Sequence, residues 1–277
     1  MSNALATILQ SLPTTIDGGL DEDTLAVAGN AMNGNKRISI KGRVFRKYVG
    51  GKEQSVNTDN YMNVIFVKLA HDASRTFYSS GYKEGAKIAP VCWSSDSKTP
   101  NAEVKTPGGV SCSECPNSVK GSGQNGMGTA CKLSWRTAVV LENDPGGDVY
   151  QLVLPATSSF GKEENGRWPF RPYVQMLANN NVSAGRVSTR MEFDINSPVP
   201  RVLFSPAKAV PAETVDVIKA QGKSVAAENA IKLTVFKVDN GDEEGDSPQP
   251  VRREAPTRAP AVPTGEVSDV IKKWAKK

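Results

Sequence analysis

Residues 37–47 read RISIKGRVFRK, and the alternation inside them decides the class of fold. Ile38, Ile40, Gly42 and Val44 fall on one side of an extended chain, and Arg37, Ser39, Lys41, Arg43, Phe45 and Lys47 on the other. A period of two with β-branched residues on the apolar side marks a half-buried β-strand. The expectation is one unbroken strand whose solvent face is basic and carries the aromatic Phe45, with Arg46 and Tyr48 just beyond.

Outward from that stretch, strand-like runs follow at residues 61–69, 75–82, 133–141 and 150–154, and again at 191–195 and 201–204. Residues 172–178 and 211–230 have helical spacing, and 231–238 reads as a last strand. Glycine (24) and proline (18) are plentiful, which favours short strands and many turns. Strands around one core, with a long loop at residues 90–131 between the third and fourth, predict a β-rich α+β protein. Its centre would be an OB-fold-like Greek-key barrel. The expected divisions are a helical N-terminal arm (1–34), an OB-like core (35–238) with an insertion at about 90–132, and a C-terminal segment (239–277).

Leu5, Ile8, Leu9 and Leu12 repeat at helical spacing before Pro13, which defines the arm. The C-terminal segment turns acidic (Asp239, Asp242, Glu243, Glu244, Asp246), then proline-rich, as a disordered linker does. It ends in an amphipathic helix on Val267, Val270, Ile271 and Trp274, with Lys276 and Lys277 at its end. Val267, Ile271, Trp274, Lys276 and Lys277 are the candidate partner-binding residues.

Charge is segregated. The first 35 residues hold no lysine or arginine, whereas Lys36, Arg37, Lys41, Arg43, Arg46, Lys47 and Lys52 precede the next acid, Glu53. The net charge of +5 is a mild surplus, so polyanion binding would rest on this local concentration. Neither an export signal nor an apolar run of about 20 residues is visible, which predicts a cytoplasmic protein and no membrane partner.

All four cysteines lie in or beside the long loop. Cys112-Ser-Glu-Cys115 lets both sulfurs turn to one point, and Cys92 and Cys131 lie 20 residues before and 16 after that pair. Four thiolates so spaced can close a tetrahedral zinc site, with Zn–S near ~2.3 Å. Disulfides would need an oxidising compartment, and a redox CxxC a thioredoxin-like setting; free thiols are the remaining alternative. Four protein ligands leave no position for water, so the zinc would be structural.

Enzyme signatures are missing. Gly121-Ser-Gly-Gln-Asn-Gly126 imitates phosphate-loop spacing, but Met127 stands where the lysine must be. His71 is the sole histidine and has no triad motif around it. Single-stranded nucleic acid, by contrast, needs cations for phosphate and aromatic faces for bases. The candidates are Arg37, Lys41, Arg43, Phe45, Lys47 and Tyr48, together with Lys132, Trp135 and Arg136 just after the last cysteine. Arg167-Trp-Pro-Phe-Arg-Pro-Tyr173 is a second aromatic–basic cluster, which reads equally as a hydrophobic staple before a helix.

The series Cys92, Cys112-x-x-Cys115-Pro, Gly121-Ser, Gly128-x-Ala-Cys131, Leu154-Pro-Ala-Thr-Ser and Tyr173-Val-x-x-Leu resembles a bacteriophage zinc-containing single-stranded-DNA-binding protein family. The resemblance implies an OB-fold core with an inserted zinc module and a role in phage DNA replication and recombination. It is similar in function to the helix-destabilising proteins of T-even phages. Those hold zinc with one histidine and three cysteines and have a basic arm, whereas this chain offers four cysteines and an acidic N-terminus. The expected partners are single-stranded DNA and further copies of the protein along it. The tail would recruit replication proteins or, in the alternative reading of a zinc-containing transcription cofactor, RNA polymerase.

Overall fold

The computed structural model describes residues 36–79 and 88–235. The chain divides into two units, Met1–Lys237 and Val238–Lys277, and the description concerns the first. The expected N-terminal helix at 5–12, the end of the expected strand at 75–82, the linker and all five tail residues from Val267 to Lys277 lie outside the described residues.

Ten strands form one sheet: β1 Arg37–Ser39, β2 Phe45–Val49, β3 Lys52–Asn57, β4 Tyr61–Leu69, β5 Ser74–Phe77, β6 Cys92–Ser94, β7 Lys132–Leu141, β8 Tyr150–Pro155, β9 Val187–Phe193 and β10 Val202–Ala209. The helices among the described residues are α1 Ala156–Ser159, α2 Phe170–Asn179, α3 Val215–Lys223 and α4 Val225–Ile231. The hydrogen-bonded path runs β10-β9-β4-β7-β8-β1-β2-β3. The β1–β8 pair is parallel and its neighbours are antiparallel. β5 takes over the edge of β7 where β4 leaves it, pairing Lys132, Leu133 and Ser134 while β4 pairs residues 137–141. β6 adds to β5 and carries Cys92 opposite Phe77.

The sheet curls into a half-barrel. β2 and β9 are five places apart on the path, about 24 Å if the sheet were flat. Yet the Phe45 and Phe193 rings meet at 4.4 Å, and the Arg43 guanidinium donates to the Ser197 carbonyl oxygen. Side-chain contact therefore brings together elements that the hydrogen-bonded path keeps apart.

Alternation along the strands makes two cores. Ile38, Phe45, Met62, Val64, Phe66, Val139, Leu152, Leu154, Met191 and Phe193 point inward, where α2 covers them with Phe170, Tyr173 and Leu177. Ile65, Ala138 and Val140 point outward and are covered by Val215 and Ile218 of α3 and Ala227 and Ala230 of α4. Burying each large apolar side chain contributes about 1.5–3 kcal/mol, which is why the helices lie where the strands are apolar on both faces. Ser224 separates α3 from α4, and its hydroxyl accepts the Ala227 N–H at 3.2 Å as an N-cap.

Two expectations are corrected. Residues 37–47 are not one strand: a single 3-10 turn, Lys41–Arg43, divides them, with Gly42 at φ 73° and Arg43 at φ 59°. Glycine takes such a φ without penalty, and the turn resets the alternation. Phe45 consequently joins Ile38 on the inner face with no exposure, instead of standing among the cations. The expected last strand at 231–238 is also absent from the described residues: Ile231 ends α4, and 232–235 form no strand.

Candidate nucleic-acid face and cysteine cluster

Register sorts the candidate residues by face. Arg37 is paired with Tyr48 on β2 and with Gln151 on β8. Gln151 donates to the Ala230 carbonyl of α4, which fixes that side as the outer one. Arg37, Arg46 and Tyr48 are therefore outer residues, and Lys47, opposite Ile38, is on the inner side. On β7, Ala138 pairs with Gln151, so alternation puts Arg136, Ser134 and Lys132 on the outer face as well. Trp135 pairs with Leu154 and points inward.

The outer cations stand on β2, β1 and β7, with the uncharged Gln151 and Val153 of β8 between those of β1 and β7. The Arg37 guanidinium lies 4.6 Å from the centre of the Tyr48 ring. Arg46 donates to Glu53 at 2.9 Å, and the Tyr48 hydroxyl donates to the same carboxylate at 3.2 Å. The Arg46 contact, reinforced by Tyr48, holds the Glu53 carboxyl below its ordinary range. Half-buried Arg136 donates to the hydroxyls of Ser74 and Ser134. Burial pushes its guanidinium below the usual value, and the nearby Tyr78 opposes that shift. No carboxylate pairs with Arg37, Lys47 or Arg136 among the described residues. Tyr78 is 43% exposed, next to the end of β5.

The remaining candidates separate. Lys41 is exposed on the 3-10 turn, and Arg43 on the same turn is engaged with Ser197. Exposed Lys132 donates to the Thr129 carbonyl at 2.7 Å. Trp135 gives its indole N–H to Ala70 at 2.8 Å and packs against Phe160 and Phe170, so neither it nor Phe45 offers a free ring. Most of the 167–173 cluster is packed into the fold. Phe170 and Tyr173 are core residues, Arg167 pairs with Glu192 at 3.1 Å, and the Trp168 backbone bridges to Phe204. Sequence reasoning missed Arg190, which lies 3.7 Å over the Tyr61 ring; the two sit on neighbouring strands that no local pattern links.

Between β6 and β7 the chain is irregular, apart from two short turns at Pro116–Ser118 and Gln124–Gly126. Backbone bonds lace it together: Cys112 N–H to Lys98, Ser118 N–H to Cys115, and Cys131 N–H to Asn117 at 2.7 Å. All four cysteines are free; Cys112, Cys115 and Cys131 are buried and Cys92 is half-buried. Desolvation pushes the Cys131 thiol up to about 11, against the charge of Arg75 and with smaller upward contributions from the other three sulfurs. Cys92 is raised by the same cause, against an N–H from Gly108. Gly108 packs closely on this group: a Cβ there would stand 2.9 Å from the Cys115 sulfur, so a side chain would require that sulfur to shift.

The four sulfurs thus share one neighbourhood, although no group of three or more His, Cys, Asp or Glu side chains among the described residues is arranged to hold a metal ion. Whether the donor set fits zinc is tested by its surroundings. Arg75 Nε and Nη1 are buried without a hydrogen-bond partner among the described residues, and its charge reaches Cys131. Four cysteine thiols in one segment are a donor set whose chemistry suits zinc. Comparison with family profiles, curated proteins and solved structures finds no match for this chain.

Proposed function

We propose that this chain is a sequence-tolerant single-stranded-DNA-binding protein of the bacteriophage zinc-containing kind, acting as a binder and not as an enzyme. The observation that carries the reading is the outer face, where Arg37 over Tyr48, Arg46 and Arg136 share one side of a curled β-sheet. The guanidinium groups of Arg37 and Arg136, which have no carboxylate partner among the described residues, suit phosphates, and an aromatic ring beside Arg37 suits a base, which needs only a π-face. The half-barrel is read as an elaborated OB-like barrel: eight strands on its path enclose one core, where the simplest form has five. Zinc held by Cys92, Cys112, Cys115 and Cys131 would supply folding free energy to residues 95–131, where Val104 is the one buried aliphatic side chain among the described residues.

The test is a titration of zinc-loaded protein with labelled oligo-dT and the matching duplex at two salt concentrations. Oligo-dT is expected to bind more tightly, with a log–log salt slope of about −0.7 for each phosphate neutralised. Arg37→Ala with Arg136→Ala should flatten that slope by about one to two phosphate equivalents, and Tyr48→Ala should cost about 1–3 kcal/mol in affinity. Equal duplex binding, or no binding at low salt, overturns the reading.

A further inference from the structure

From Lys36 to Asn57 the chain holds seven lysines and arginines and a single acid, Glu53, and an irregularity in the sheet puts that acid on the cationic face. β2 pairs Arg46 with Val56 and Lys47 with Ser55, and then Tyr48 with Glu53, so Gln54 is an extra residue on β3. Strict alternation from Val56 would send Glu53 to the inner side. The bulge resets it to the outer side, across from Tyr48. There its Oε2 accepts from Arg46 Nη1 at 2.9 Å and from the Tyr48 hydroxyl at 3.2 Å. The Arg37 guanidinium lies over the ring of the same tyrosine. One carboxylate oxygen thus joins a cation and the aromatic ring of the proposed nucleic-acid face.

Stability does not explain this contact. The Arg46 and Glu53 side chains are 36% and 38% exposed, and ion pairs so open to water contribute little to a fold. The hairpin is already set by Gly50 and Gly51, whose φ angles of 58° and 81° suit a two-residue turn closed by the Val49–Lys52 pair. What the contact does is occupy Arg46 with an anion. A guanidinium offers carboxylate and phosphate oxygens the same planar fork, so a strand crossing this face must take Arg46 from Glu53. We infer that Glu53 is an internal competitor for phosphate, which holds Arg46 and Tyr48 in the unbound protein, yields Arg46 to the strand, and thereby sets the affinity and salt dependence of the face. This rests on the nucleic-acid reading of the outer face and adds to it the residue that limits its affinity. Because one ion pair replaces another, Arg46 adds little to the salt slope while Glu53 keeps its charge. With that charge removed, Arg46 counts as one more neutralised phosphate.

The experiment measures binding of the full chain to labelled oligo-dT over a range of salt concentrations. It compares wild type, Glu53→Gln, and Glu53→Gln combined with Arg46→Ala. Glutamine keeps the size of the side chain and an oxygen acceptor for Arg46 and Tyr48, and loses the charge. Glu53→Gln is expected to bind about 2–5-fold more tightly at low salt and to steepen the log–log slope by about 0.7. Adding Arg46→Ala should abolish the extra slope, because the gain acts through that one guanidinium. Unchanged or weaker binding by Glu53→Gln, beside salt-sensitive binding by wild type, would overturn the competitor role and leave the nucleic-acid reading standing. An extra slope that survives in the double variant would do the same, since the effect would then come from net charge. Wild-type protein that does not bind oligo-dT at low salt would overturn both.

Discussion

Gly42 and Arg43, with their positive φ angles, decide where one aromatic side chain goes. Without that turn, Phe45 would share a face with Arg37, two-residue steps away along one strand. With it, Phe45 packs on Phe193 across the curled sheet. Phe45→Ala should therefore act on stability, costing about 3–5 kcal/mol, as truncation of a fully buried phenylalanine does. Urea unfolding measures this, and oligo-dT affinity of the remaining folded protein should stay near wild type. A selective loss of DNA binding at unchanged stability would contradict the inward placement. The Arg37–Tyr48 pair was within reach of sequence reading, because both were named as candidates. Its geometry was not, because it depends on which two strands are neighbours. Phe45 and Trp135 illustrate the opposite case: an aromatic between cations looks exposed in sequence until a turn or a β-strand partner shows which way it points.

Among the elements, the loop after β6 depends on one carboxylate. Asp96 accepts from the Lys98 N–H at 2.8 Å, the Ser94 hydroxyl at 2.9 Å and the Thr99 N–H at 3.3 Å. The Lys98 N–H chiefly, against desolvation, holds the Asp96 carboxyl below its ordinary range. Lys98 in turn accepts the Cys112 N–H, so this turn anchors the first half of the cysteine segment. A carboxyl whose folded pKa is depressed stabilises the fold above its unfolded value, near 3.9, and loses that contribution as pH falls through the folded value. Asp96→Asn should lower stability at neutral pH. Its denaturation midpoint should then fall less than that of wild type between about pH 5 and pH 2. Parallel pH profiles for the two proteins would show that this turn does not carry the effect. The strand and helix positions at β4, β7, β8 and α2 were legible because each carries its own period. β3, β6 and α1 were not, since short elements owe their existence to neighbours already in place.

Across the whole molecule, neither apolar cluster includes a side chain from residues 70–134. The half-barrel and the cysteine segment therefore draw on different sources of stability, hydrophobic burial for one and, in the proposed reading, metal–thiolate bonds for the other. Chelation under reducing conditions should raise amide hydrogen exchange in residues 95–131 while β4, β7 and β9 remain protected. Concerted loss of protection everywhere, or no change in the cysteine segment, would contradict this separation. From the sequence alone came the β-rich class, most strand positions, the grouping of four cysteines in one loop and the local excess of cations, because these follow from periodicity, composition and spacing. Tertiary structure alone decided the inner and outer faces of residues 37–48 and the meeting of β2 with β9. It also put Arg37 and Arg136 on one side and set Arg75 between the strand that begins with Cys92 and the strand that follows Cys131. The reason is physical: sheet register and curl are fixed by contacts between residues far apart in the chain, and a side chain's face is known only once its strand has neighbours.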